Sequence, residues 1–113
     1  MIITVPDKLI STVLPKEYIM ATDEGEAIGI AAGFYYATKQ PADVYISADG
    51  FMNALNPITS LVIPEKIEMN LFISIGRTES QHKVATYLVP EIIEELKIHG
   101  AGKIHYELIR KQS

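Results

Sequence analysis

Residues 23–33 read Asp-Glu-Gly-Glu-Ala-Ile-Gly-Ile-Ala-Ala-Gly, and this stretch predicts the central helix of the fold. Acidic residues open it, and carboxylates are favoured at the first turn of a helix. The glycines Gly25, Gly29 and Gly33 are four residues apart, so they form one ridge on the helix. Because a mid-helix glycine costs roughly 1 kcal/mol relative to alanine, we expect something to pack closely on the ridge. The candidates are the domain's own sheet, a neighbouring subunit or a bound ligand.

Short apolar segments alternate with helical patterns on both sides of this stretch. Strands are predicted at residues 2–5, 18–21, 44–47 and 71–75, and helices at 7–14, 22–38, 52–62 and 87–98. Residues 48–50 are expected to form a tight loop, and Pro57 is expected in or near the first turn of the third helix. Residues 76–85 are predicted to be a polar loop, and the pattern leaves 103–111 open. The alternation predicts one domain over residues 1–113, with a three-layer α/β/α architecture and a mostly parallel sheet.

The composition narrows the class of protein. The chain has 113 residues, 48% of them hydrophobic, which suits a single domain with a proper core. A net charge of -4 and the lack of a basic run argue against binding a nucleic-acid backbone. No cysteine is present, so there is no disulfide framework and no thiolate metal site. The sequence has neither a long apolar span nor a signal-peptide pattern, and we expect a cytoplasmic protein without a metal site of its own.

Several segments together carry a resemblance to a known family. Residues 23–33 resemble the helix that supplies the catalytic glutamate in thiamine-diphosphate enzymes, and Val5-Pro6-Asp7 resembles the first strand-to-helix turn of that family. Residues 44–61 resemble the strand, glycine loop and helix that follow. Gln81-His82 resembles a pair found in the decarboxylases of sulfopyruvate and phosphonopyruvate. The similar segments occur in the family's order over roughly three quarters of the chain, and this shared order argues against chance.

The resemblance implies a site for thiamine diphosphate at the carboxyl ends of the strands. Glu24 would be the catalytic acid, bonded to the coenzyme's pyrimidine ring. The other implied site residues are Gly50 and Asn53 beside the coenzyme, and Gln81, His82 and, on a weaker match, Arg77 beside the substrate. From the residues alone, simpler roles stay open. The acids at positions 23, 24 and 26 could serve only the helix dipole, the loop at 47–53 could be an ordinary turn with a cap, and His82 could be a solvated loop residue.

The second half of a thiamine-diphosphate site has no counterpart in this sequence. The family binds the diphosphate through magnesium held by a Gly-Asp-Gly sequence and a later asparagine, and neither is found here. The resemblance therefore implies the alpha, pyrimidine-binding subunit of a 2-oxo acid decarboxylase of the kind used in coenzyme M biosynthesis. Its partners would be a beta subunit that holds diphosphate and magnesium, in a homo- or hetero-oligomer, and a small anionic 2-oxo acid.

The loop at residues 47–52 departs from the family pattern. Ser47-Ala48-Asp49 stands in place of Gln-Asn-Ser, and Met52 replaces a second glycine. Two alternatives therefore stay open. One is a shortened, non-catalytic α/β binding module, and the other is a subunit of a different thiamine enzyme, of the acetolactate synthase type.

Overall fold

A computed structural model describes residues 1–76, 83–100 and 103–110. The elements, in chain order, are β1 (Ile2–Thr4), α1 (Lys8–Ser11), β2 (Ile19–Met20), α2 (Glu24–Thr38), β3 (Ala42–Ser47), α3 (Ala48–Pro57), a π-helical segment (Ile58–Val62), β4 (Met69–Ile75), α4 (Lys83–Gly100) and β5 (Ile104–Arg110). The five strands form one sheet, in the order β2-β1-β3-β4-β5, and every pair is parallel. The prediction of an α/β fold with a parallel sheet is confirmed.

The helices cover the two faces of the sheet unequally. Helices α2, α3 and α4 pack side by side on one face, where strand residues such as Val44, Ile46 and Leu71 are completely buried. The short helix α1 lies against the other face. Asp7 holds it there, because one carboxylate oxygen caps α1 at the Ile10 N–H (2.7 Å) and the other accepts from the Ser74 hydroxyl of β4 (2.7 Å).

The start and the end of α3 differ from the prediction. Residues 48–50 form the first turn of this helix rather than a loop, because the Ser47 hydroxyl accepts from the Gly50 N–H (2.9 Å) and caps the helix directly at the end of β3. Pro57 is the last residue of α3, so its placement in the first turn was wrong. Because proline has no N–H to donate, the α-helical pattern stops there and continues as a π-helical segment.

The C-terminal third is more regular than the sequence indicated. Helix α4 spans Lys83–Gly100, so the predicted helix at 87–98 is longer at both ends and residues 83–85 of the predicted loop belong to it; residues 77–82 of that loop lie outside the described residues. The segment left open at 103–111 contains β5, which pairs in parallel with β4 along its whole length. Within the described ranges, no helix has the length and apolar character needed to cross a membrane.

Candidate functional site

Three acidic residues at the start of α2 have different tasks. Asp23 is the N-cap, and its carboxylate accepts from the Glu26 N–H (2.8 Å). The Glu26 carboxylate reaches back to Thr22, accepting from its backbone N–H and its hydroxyl at 3.0 Å each. These two acids form an arrangement like a capping box, so the simpler helix-end role applies to both. Glu24, the first residue of the helix, takes part in neither bond and has its carboxylate directed towards α3.

The Glu24 carboxylate is held against the first two turns of α3. The Asn53 side-chain amide donates to Glu24 Oε1 at 3.2 Å. A methyl group added at Gly50 would lie 2.5 Å from Glu24 Oε2 and 2.6 Å from its Cδ, closer than atoms can approach. The sequence predicted that Gly50 lies in a tight loop, but in the structure it lies in the first turn of α3. It leaves the space that the Glu24 side chain occupies.

Helices α2 and α3 also approach each other closely beside the carboxylate. A Cβ added at Gly25 would lie 3.9 Å from the Asn53 carbonyl oxygen and 3.3 Å from Asp23 Oδ1. Pro57 cannot donate an N–H to that carbonyl, as the residue four positions later in a helix normally does. Glu24 is half-buried, and it lies near the N-terminal first turns of both helices, whose exposed N–H groups favour a negative charge.

The structure brings together three of the six residues that the sequence singled out. Glu24, Gly50 and Asn53 form one cluster. Arg77, Gln81 and His82 lie outside the described residues, so their substrate role stays a prediction. The family resemblance implied a place beside the coenzyme for Asn53, but the sequence gave no sign that Asn53 contacts Glu24, because the two are 29 residues apart. In the described part of the chain, no group of three or more histidines and acids is placed to hold a metal ion.

The glycine ridge of α2 is open over its last two positions. Gly29 and Gly33 are exposed, and a Cβ added at either would meet nothing within 4 Å. The ridge at these two positions therefore does not pack against the sheet, and the alternative of close packing within the domain is wrong there. The helix has no charged residue between Ala27 and Thr38. A helix that is apolar on every side is normally covered on every side, so its outer surface suits a close neighbour.

Comparison with protein-family models and with curated protein sequences finds no significant match to this chain. A proposal for its function therefore rests on the arrangement around Glu24 and on the resemblance in its sequence.

Proposed function

We propose that this chain is the pyrimidine-binding subunit of a thiamine-diphosphate-dependent decarboxylase that acts on a small anionic 2-oxo acid of the sulfopyruvate or phosphonopyruvate kind. One observation supports it most directly. Of the three acids at the start of α2, two cap the helix, and the third, Glu24, is the residue that the sequence resemblance selects. Its carboxylate lies where the carboxyl ends of parallel strands gather ligands.

The described residues fit the pyrimidine half of such a coenzyme. That half requires a carboxyl group able to share a proton with a ring nitrogen. Glu24 offers one in a half-buried position, with Oε1 fixed by Asn53 and with Gly50 leaving room for the side chain. A carboxylate held in this way keeps its orientation without being enclosed by its own chain.

Thiamine diphosphate, when bound, supplies a nucleophilic carbon that adds to the keto group of a 2-oxo acid and accepts the electron pair released with carbon dioxide. The role of Glu24 would be to hold or receive a proton at its carboxylate oxygens, beside the pyrimidine ring. Asn53 would keep Oε1 in place as that proton moves. Gly50 would contribute only by lacking a side chain, because any side chain there would displace Glu24.

A partner subunit would complete the site. The sequence lacks the family's magnesium motif, so the diphosphate and its metal would be bound elsewhere. The open part of the α2 ridge, at Gly29 and Gly33, begins five residues after Glu24 and gives another chain a smooth apolar surface on which to dock. Small residues at such a surface allow two backbones to approach closely. A partner on α2 would also shield the Glu24 carboxylate from water.

The test begins with the partner. The tagged chain is purified from native lysate, co-purifying proteins are identified, and the complex is assayed with sulfopyruvate and phosphonopyruvate. We expect a partner that carries a Gly-Asp-Gly…Asn motif, and release of carbon dioxide that depends on thiamine diphosphate. Glu24→Gln should lower kcat by at least ~100-fold, the usual size of a lost proton-transfer group.

Glu26→Gln is the matched control, because it removes an acid two residues away whose carboxylate is used in capping. It should keep most of the activity. Equal activity of the Glu24→Gln and wild-type complexes would contradict the proposal. If the chain returns without any partner, the non-catalytic binding module becomes the better interpretation. Condensation products in place of an aldehyde would indicate an enzyme of the acetolactate synthase type.

A further inference from the structure

The second face of the sheet is largely uncovered in the described part of the chain. Side chains of β3 alternate between full burial on the helix-covered face and partial burial on the opposite one. Strand β4 repeats the alternation over its first half. Helix α1 covers the carboxyl end of this second face, where Asp7 bonds Ser74. We call the part of the remainder formed by β3, β4 and β5 the open face, and its side chains are those of Asp43, Tyr45, Asn70, Phe72, His105 and Glu107.

An aromatic pair occupies the middle of the open face. Tyr45 and Phe72 are direct neighbours on β3 and β4, and their rings stack with centroids 4.5 Å apart and planes 10° from parallel. Both side chains are only partly buried. Parallel sheets are almost always covered by helices on both faces. A partly exposed aromatic pair in the centre of such a face therefore marks a contact surface.

The charges on the open face are acidic. Asp43 precedes Tyr45 by two residues on the same strand, and Glu107 is the direct neighbour of Phe72 on β5. Among its six residues are two carboxylates and neither lysine nor arginine. The pKa of the Tyr45 hydroxyl is raised, first by burial and then by the charges of Asp43 and Glu107. Both carboxylates therefore act on the same part of the surface.

The existing contacts of Asp43 and Glu107 leave both carboxylates able to bind a positively charged group of a partner. Asp43 Oδ1 accepts from the Asn70 side-chain amide at 2.9 Å, a neutral partner that does not cancel its charge. Glu107 Oε2 lies 3.6 Å from His105 Nε2, and these side chains are 58% and 64% exposed. Exposed ion pairs of this kind contribute little to the stability of the fold. A second copy of the chain on this face would bring the same carboxylates close together, which like-charge repulsion opposes.

We propose that the open face binds an amphipathic helix of a partner protein, with apolar side chains on the Tyr45–Phe72 pair and lysine or arginine beside Asp43 and Glu107. A helix is about 10 Å wide and strands are about 4.8 Å apart. One helix lying along the strands therefore covers β3 and β4 together and reaches the first side chains of β5. This docking is independent of any chemistry at Glu24.

The test uses a defined probe. A helical peptide of about 18 residues, or five turns, carries a leucine stripe flanked by lysines, and a second peptide has glutamate in place of every lysine. Binding to the full chain is measured by calorimetry at several salt concentrations and mapped by amide NMR shifts. We expect the lysine peptide to bind, to shift resonances of β3 and β4, and to weaken as salt rises. The glutamate peptide should not bind.

The double variant Asp43→Asn with Glu107→Gln removes both charges and keeps the shapes, and the new asparagine still offers an oxygen to Asn70. It should weaken lysine-peptide binding at least ~10-fold, or by roughly 1.4 kcal/mol. The matched control is Glu91→Gln with Glu95→Gln, an equal charge change at exposed positions of α4. Equal weakening by the control pair, shifts confined to α2, or self-association of the chain that the first pair abolishes would each overturn the proposal.

Discussion

Replacing Gly50 with alanine tests the contact on which the candidate site depends. The added methyl group would lie 2.5 Å from Glu24 Oε2, 2.6 Å from Cδ and 2.7 Å from Cγ. All three atoms belong to one flexible side chain, so the backbones of α2 and α3 need not move. We expect Glu24 to swing out of its position and to lose its hydrogen bond with Asn53.

Two opposing effects set the stability of the Gly50→Ala protein. Alanine is better than glycine in a helix by about 0.5–1 kcal/mol. The lost hydrogen bond to a carboxylate costs about 1 kcal/mol at a site that solvent still reaches. The free energy of unfolding should therefore change by less than about 0.5 kcal/mol. In a Glu24→Ala background the obstructing atoms are absent, and the same substitution should stabilise the chain by about 0.5–1 kcal/mol.

Urea unfolding followed by circular dichroism measures all four members of this double-mutant cycle. We expect a coupling free energy of about 1 kcal/mol between positions 24 and 50. The refuting result is additivity, meaning that Gly50→Ala stabilises both backgrounds equally, to within about 0.3 kcal/mol. In that case Glu24 does not lie against Gly50, and the cluster proposed as the catalytic site does not exist in solution.

Three further predictions concern α2 and β5. Gly29→Ala should stabilise the isolated chain by about 0.5–1 kcal/mol in urea unfolding, because its methyl group meets nothing within 4 Å, and it should weaken binding of the proposed partner subunit. Asp23→Ala removes the N-cap of α2 and should cost about 0.5–2 kcal/mol in the same assay, whereas Asp23→Asn should cost less. Burial raises the pKa of Tyr106 to about 12. The folded chain then keeps a proton that the unfolded chain loses near pH 10, so stability is unaffected well below pH 10 and falls between pH 10 and pH 12. The full shift corresponds to roughly 2 kcal/mol, and because the side chain is only partly buried, solvent screening reduces the expected fall to about 1 kcal/mol. Tyr106→Phe should remove that part of the fall in alkaline urea unfolding.

Sequence patterns predicted the α/β architecture because each signal was local. The acid-rich start of α2 and the apolar runs of β3 and β4 needed no information from elsewhere in the chain. The error at α3 was also local. Ser47 is a good N-cap residue, but its position directly after an apolar run led to its assignment as the last strand residue alone. It is both, so β3 and α3 are joined without a loop.

The candidate site was only partly predictable, because its key contacts join distant parts of the chain. Glu24 was selected by resemblance, and no pattern in the sequence distinguished its task from those of Asp23 and Glu26. Only the fold shows that two of these acids cap α2 while the third meets α3. The need for glycine at position 50 likewise comes from a side chain that lies far away in sequence.

The two proposed contact surfaces lie on opposite sides of the sheet, and this separates their tests. The glycine ridge is on the outer side of α2, beyond the helix-covered face, whereas Tyr45 and Phe72 are on the open face. Sites this far apart, without shared side chains, should contribute additively. Gly29→Ala should therefore leave peptide binding at the open face unchanged, and the Asp43→Asn, Glu107→Gln pair should leave decarboxylation unchanged. An effect of either variant on the other surface would contradict this independence and would indicate that one partner contacts both surfaces.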